Sequence, residues 1–352
     1  MTPEALALTA LRPRLPSPLQ PVEDERFARH GVRLLLKRDD LIHPSLPGNK
    51  WRKLAPNLRA AAAAGHGTLL TFGGAYSNHL RATAAAGRLL GFTTIGVVRG
   101  DELAERPLNP SLAQCAADGM RLVFVSRALY RRKGEPQGLA EILDVAGHPS
   151  PLGGVTASHD RCDRRARPAI EERSPGPRPG GDWGSAPVSG RVGAGDCFLV
   201  PEGGSNDLAV RGCAELGQEL RGQAGFVGVA CGTGGTLAGL AAGLEAGQRA
   251  IGFPVLKGGF LEEEIRSLQA AALGGPAGHW SLDDRFHSGG YARTTPELDA
   301  FATDFEDRHG LPVERLYVAK MLYGLTTLAT EGAFPPGSVI AAVITGQPEP
   351  SR

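Results

Sequence analysis

Short apolar runs recur along the 352-residue chain, separated by small and polar residues, and they alternate with Ala- and Leu-rich stretches of helical character. Arg33-Leu34-Leu35-Leu36-Lys37 reads as a buried strand. Residues 68–72 predict a second strand, residues 80–90 a helix, 94–98 a strand, 111–118 a helix and 121–125 a strand. Strand character resumes at 197–200 and at Phe226-Val227-Gly228-Val229-Ala230, followed by a helix over 237–244. Continuous rather than alternating hydrophobicity is what strands covered on both faces require, and strands that alternate with helices predict parallel sheets joined by right-handed crossovers. The fold class read from the pattern is therefore α/β with open parallel sheets.

Composition along the chain divides it further. Residues 147–196 are rich in Gly, Pro, Ser and Arg and carry no hydrophobic period, so they read as a disordered insertion. The remainder predicts a smaller α/β domain over 51–146 and a larger domain assembled from 1–50 and 197–352.

Three segments carry candidate chemistry. Gly48-Asn49-Lys50-Trp51-Arg52-Lys53-Leu54 offers a lysine on a turn that glycine loosens, at the start of a helix. Gly73-Gly74-Ala75-Tyr76-Ser77-Asn78-His79 joins a strand to a helix, with Ser77 or Asn78 as a competent N-cap and exposed amides that favour an anion such as a substrate carboxylate. Cys231-Gly232-Thr233-Gly234-Gly235-Thr236 joins a strand to a helix in a loop whose amides could cradle a phosphate. It is neither a Walker A loop, since no Gly-Lys-Ser/Thr follows, nor a dinucleotide fingerprint, since Leu237 stands where the third glycine belongs. A lysine, an amide-bearing loop and a phosphate cradle are the parts of a pyridoxal phosphate site, where a lysine holds the aldehyde as a Schiff base and the phosphate is tied down elsewhere.

These runs, with Lys37-Arg38-Asp39-Asp40-Leu41, Pro201-Glu202-Gly203-Gly204-Ser205-Asn206, Gly289-Gly290-Tyr291 and residues 317–324, resemble in order the pyridoxal-phosphate enzymes of the 1-aminocyclopropane-1-carboxylate deaminase and D-cysteine desulfhydrase group. The resemblance implies the tryptophan synthase β-like fold (fold type II) with two open parallel-sheet domains, pyridoxal 5'-phosphate as cofactor, a small amino-acid substrate and a homodimer. It implies Lys50 as the Schiff-base lysine, Asn78 as a partner of the cofactor's ring hydroxyl, and Ser77 and His79 beside the substrate carboxylate, with Asn78 also within the substrate site. Gly232, Thr233, Gly234, Gly235 and Thr236 would hold the phosphate. Tyr291 and Tyr317 match family tyrosines that face the substrate, and Ser77 joins them and Lys50 as a catalytic candidate. The chain departs from the pattern at Val318, where the family carries Thr or Glu, and at Ile344-Thr345-Gly346-Gln347, where it carries His-Thr-Gly-Gly. Thr345 resembles the desulfhydrase branch and is the expected contact of the pyridine nitrogen.

The activity so implied is β-elimination, with D-cysteine giving pyruvate, ammonia and sulfide. Ring opening of 1-aminocyclopropane-1-carboxylate is the alternative on the same lysine. A chain that binds the cofactor without efficient turnover is the alternative from another class, suggested by Val318, Ile344 and Gln347.

A formal net charge of +1 argues against nucleic acid or an acidic membrane surface as partner. Five cysteines, Cys115, Cys162, Cys197, Cys213 and Cys231, show no metal spacing or Cys-x-x-Cys pair, so no metal site is expected and free thiols in a reducing compartment are. No basic region precedes an apolar core at the start of the sequence, and no apolar run reaches the roughly eighteen residues of a membrane span. The expected location is the cytoplasm.

Overall fold

A computed structural model of the protein describes residues 11–46, 48–148, 197–290 and 292–346. The region expected to be an insertion lies, from 149 to 196, outside the described residues, as do Tyr291 and Gln347. The strands are β1 (Leu19–Val22), β2 (Arg33–Lys37), β3 (Thr68–Gly73), β4 (Thr93–Arg99), β5 (Met120–Val125), β6 (Cys197–Val200), β7 (Phe226–Cys231), β8 (Arg249–Pro254), β9 (Trp280–Leu282) and β10 (Val339–Val343). The helices are α1 (Glu25–Ala28), α2 (Lys50–Ala63), α3 (Asn78–Leu90), α4 (Pro110–Ala117), α5 (Arg127–Arg131), α6 (Pro136–Val145), α7 (Asp207–Glu219), α8 (Gly235–Gly243), α9 (Leu261–Leu273), α10 (Pro296–His309) and α11 (Val318–Thr330).

Two sheets result. One runs β1-β2-β10-β7-β8-β9, parallel except for β1, and the other runs β5-β4-β3-β6, parallel throughout. Both faces of the larger sheet are covered. Leu34, Ile340, Phe253 and Leu325 share one core, and Val227, Val343, Leu237 and Ile265 share another. The smaller sheet is likewise packed between a cluster holding Leu54, Leu69 and Ala86 and one holding Phe72, Val97 and Ile142. Double coverage explains why these strands read as unbroken apolar runs.

One boundary differs from the sequence expectation. Residues 197–200 were assigned to the larger domain, but β6 pairs with β3 in the smaller sheet, with Thr68 opposite Cys197 and Thr71 opposite Val200. The Thr71 hydroxyl adds a hydrogen bond of 2.8 Å to the Val200 carbonyl. The chain therefore leaves the smaller sheet after Val200 rather than before Cys197.

The carboxyl ends of β2, β3, β6, β7 and β10 lead directly into the segments that carry the candidate residues. That is where open parallel sheets form ligand clefts. Among the described residues no helix is long and apolar enough to cross a membrane.

Candidate active site

Lys50 is the first residue of α2, and the turn before it is fixed against β10. Gly48 has φ +64, and a Cβ there would lie 1.8 Å from the Thr345 carbonyl oxygen. Only glycine tolerates both the left-handed backbone and that approach. The Asn49 N–H donates to the same carbonyl at 3.1 Å, and the Asn49 side-chain amide donates to Thr236 Oγ1 at 3.2 Å. The lysine is thus tied to the end of β10 and to the first turn of α8. Desolvation, reinforced by the neighbouring Lys53 ammonium, pushes Lys50 down to about 7. An amine at that value is substantially neutral, hence nucleophilic, at neutral pH.

The loop after β7 makes the second wall. Gly234, at φ +75, caps α8, whose first amides are left without helical partners. Lys53 is buried beside this loop, where its ammonium donates to the Gly203 carbonyl at 3.2 Å and to Ser205 Oγ at 3.0 Å. Ser205 Oγ in turn lies 2.6 Å from Thr233 Oγ1. A Cβ on Gly235 would come within 2.6 Å of Ser205 Oγ and 3.3 Å of Lys53 Nζ, so the cation approaches the loop as closely as glycine allows. Lys53 is not among the candidate residues of the sequence. The signal that could have singled it out is its i+3 spacing from Lys50, which puts both ammoniums on one face of α2.

Ser77 caps α3, accepting the Leu80 N–H at 3.3 Å, and Ser77 and Asn78 are both half-buried at the end of the β3 loop. The Asn109 side-chain amide holds that loop through the Ala75 carbonyl at 3.0 Å. His79 is the buried member of the three. Its imidazole is only 2% exposed and points beneath the loop, with Nε2 2.8 Å from Thr71 Oγ1. The Thr71 hydroxyl itself donates to the Val200 carbonyl at 2.8 Å. Desolvation, with Lys50 and Lys53 nearby, holds the His79 pKa well below the ordinary value, so the ring is neutral.

Tyr317 is half-buried at the start of α11, and its phenol lies over the glycine loop after β7: a Cβ on Gly232 would be 3.5 Å from its hydroxyl. The Glu314 carboxylate accepts the N–H groups of Leu316 at 2.7 Å, Tyr317 at 2.7 Å and Val318 at 3.2 Å, which fixes this helix start. Val318 itself is in the hydrophobic core. Thr345 is half-buried at the end of β10, its carbonyl taken by Asn49. Tyr291 lies outside the described residues, although the glycine before it accepts a hydrogen bond of 3.0 Å from the buried Lys320 ammonium.

A family model for pyridoxal-phosphate dependent enzymes matches residues 12–346. The chain belongs to that family. Relatives of this pyridoxal-phosphate enzyme include a D-cysteine desulfhydrase of Klebsiella pneumoniae, 27% identical over 352 residues that span 94% of this chain and 91% of the relative. A Thermotoga maritima protein provisionally assigned as a 1-aminocyclopropane-1-carboxylate deaminase is 26% identical over 84% of each chain. Among solved structures, a homologue of 1-aminocyclopropane-1-carboxylate deaminase superposes with a TM-score of 0.67 at 24% identity, covering 98% of this chain and 95% of its own. An O-acetylserine-dependent cystathionine β-synthase of Helicobacter pylori superposes with a TM-score of 0.55 at 14% identity over 98% and 94%. These likenesses establish fold type II.

The residues present fit the family's cofactor. A desolvated lysine stands ready for the aldehyde, and the glycine loop with a helix N-terminus behind it and the buried Lys53 ammonium beside it suits a dianionic phosphate. Lys50 and Asn78 would hold the ring end, and residues 232–236 with Lys53 and Ser205 the phosphate end.

Proposed function

We propose that this pyridoxal-phosphate enzyme is a D-cysteine desulfhydrase, which eliminates sulfide from D-cysteine and leaves pyruvate and ammonia. When bound, pyridoxal phosphate supplies a carbonyl for an amine and an electron sink for charge left at Cα. The protein's own contribution begins with Lys50, whose amine is neutral enough near pH 7 to hold the cofactor and, once displaced, to take the Cα proton. Main-chain N–H groups at Ser77, Asn78 and His79, at the start of α3, suit the substrate carboxylate. The Tyr317 phenol, above Gly232, suits transfer of a proton to the departing sulfur.

The observation that carries the choice of reaction is the contrast between positions 318 and 345. Val318 is 1% exposed in the core and offers no hydrogen bond to a ring nitrogen. Thr345, half-buried at the end of β10 with its carbonyl committed, leaves its hydroxyl as the polar side-chain group there. A neutral hydroxyl partner suits elimination of a good leaving group more than the opening of a carbocycle, which demands a stronger electron sink.

The test is the visible spectrum of the cofactor-loaded protein, titrated with D-cysteine while sulfide and pyruvate are assayed. A band that shifts as the two products appear in equal amounts supports the reading. A band that responds only to 1-aminocyclopropane-1-carboxylate, with 2-oxobutyrate as product, replaces it with the deaminase. A band that no amino acid moves replaces both with a binding role.

A further inference from the structure

A cluster of buried charges is centred on Arg52, two residues beyond Lys50 on α2. Arg52, on the first turn of α2, is 1% exposed, and its guanidinium is gripped from two sides. Its Nε lies 2.8 Å from Asp39 Oδ2 and its Nη2 2.9 Å from Asp39 Oδ1. On the other side Nη1 lies 3.0 Å from Glu219 Oε1 and Nη2 2.8 Å from Glu219 Oε2. Lys37, at the end of β2, adds its ammonium to Glu219 at 2.5 Å and donates to the Ser17 carbonyl at 2.7 Å. The Ser17 hydroxyl donates to Asp39 Oδ1 at 2.6 Å and its N–H to Glu219 Oε2 at 3.2 Å. Two cations and two carboxylates close into a neutral unit that joins β2, the turn Asp39–Leu41, α2 and the end of α7.

Stability does not account for such a unit, since apolar side chains of similar volume commonly serve a core as well as buried ion pairs do. Its distinctive property is directional. A planar fork that engages two carboxylates at once fixes the rotation of the helix that carries it, which a point charge cannot do. With about 100° between successive helical residues, Arg52 points away from the face shared by Lys50 and Lys53. The same flank is braced by α7, where a Cβ on Gly212 would lie 2.1 Å from the Arg52 carbonyl oxygen.

We propose that Arg52, held by Asp39 and Glu219, is a positioning residue that sets the rotation of the first turn of α2 and thereby aims both Lys50 at the cofactor's ring end and Lys53 at the phosphate loop. It touches neither cofactor nor substrate. The inference rests on the assignment of Lys50 as the cofactor-bearing lysine for its binding arm alone.

The experiment replaces Arg52 by Lys, which keeps the charge and loses the two-sided fork. Folding is checked by circular dichroism and melting. Two quantities are then read. In the apoprotein, competitive acetylation of Lys50 with acetic anhydride against pH, followed by mass spectrometry, gives the titration midpoint of its amine. In parallel, equilibrium dialysis gives the affinity for pyridoxal phosphate, and borohydride trapping gives the fraction joined to Lys50. The expected result for Arg52→Lys is a folded protein whose Lys50 midpoint rises from about 7 toward that of an ordinary lysine, with affinity weakened roughly 10–100-fold, the order of loss seen when a group that orients a metal-binding side chain is removed. A folded Arg52→Lys protein with midpoint and affinity both unchanged overturns the proposal. Should Arg52→Lys fail to fold, Glu219→Gln, which keeps the Asp39 pair, is read the same way, and an unchanged midpoint and affinity in it overturn the proposal equally. The apoprotein midpoint decides the matter even if another lysine is found to carry the cofactor, so the two failures are distinguishable.

Discussion

Replacing Gly48 by Ala tests how the active lysine is held. Two costs are separable in the structure. An L-residue at φ +64 costs about 1–2 kcal/mol. In addition, the new methyl would lie 1.8 Å from the Thr345 oxygen, so the turn and the end of β10 must part by well over 1 Å to reach an ordinary contact of about 3.5 Å. That movement breaks the 3.1 Å hydrogen bond from Asn49 to Thr345, worth about 1 kcal/mol. The total is about 2–3 kcal/mol before any strain in β10. Gly65→Ala is the matched control, because Gly65 has φ +77 with no atom within 4 Å of the added Cβ, and it should cost only the first 1–2 kcal/mol or so. Urea unfolding of the two variants gives the difference. Cofactor affinity gives the functional half: Gly48→Ala displaces Lys50 and should weaken pyridoxal phosphate binding by about 100-fold, whereas Gly65→Ala should leave it unchanged. Equal stability of the two variants, with wild-type affinity in Gly48→Ala, would refute the reasoning.

Other outcomes follow from single groups. Lys53→Met should weaken cofactor binding and raise the Lys50 midpoint above about 7, since the Lys53 ammonium is one of the two causes that lower it; acetylation against pH reads the second effect, and a fall would contradict it. For the same reason the rate of cofactor capture by the apoprotein should climb as pH rises through about 7 and level off above it, where Lys50 is neutral. Cys115, Cys197, Cys213 and Cys231 are all buried free thiols, so an aromatic disulfide reagent should titrate no more than Cys162 in the native protein and all five thiols after unfolding. Burial pushes the Asp24 carboxyl up, but hydrogen bonds from Arg26 and His309 outweigh it and hold the group at about 2 against an ordinary 3.8. Its folded pKa is depressed, so its contribution of about 2 kcal/mol is complete above pH 4 or so and is lost as pH falls through about 2; in urea titrations, the gap in unfolding free energy between wild type and Asp24→Asn should narrow over that window and not above it.

The alternation of elements was legible because each strand is covered on both faces and so reads as one apolar run. Residues 94–98 and 226–230 illustrate this, differing from β4 and β7 by a residue or two at their ends. The partner of a strand was not legible. Cys197–Val200 has only four residues, and nothing in Cys-Phe-Leu-Val distinguishes an edge against Thr68–Thr71 from a place in the larger sheet. That choice is made by long-range register, which leaves no local trace. Side-chain direction at a helix start was equally hidden. Ser77, Asn78 and His79 are consecutive, but rotation of about 100° per residue turns the imidazole under the loop toward Thr71 while Ser77 and Asn78 remain at the surface of the cleft.

The same rotation accounts for the divergent surroundings of three neighbouring cations. Lys50 and Lys53 share a face of α2, and Lys53 reaches Ser205 beside the loop after β7, whereas Arg52 turns to Asp39 and Glu219. In the sequence they form one basic cluster, and exposure would be the ordinary fate of each. What removes Arg52 and Lys53 from solvent, and half-buries Lys50, is that α2 is enclosed on both flanks, by the end of β10 through Gly48 and by α7 through Gly212. A lysine placed there loses its hydration and finds another ammonium rather than a carboxylate beside it, so its proton is weakly held. Arg52 does find carboxylates, and its charge is fixed. The chemistry of the site thus depends less on having basic residues than on a helix so tightly enclosed that its successive side chains enter opposite electrostatic surroundings.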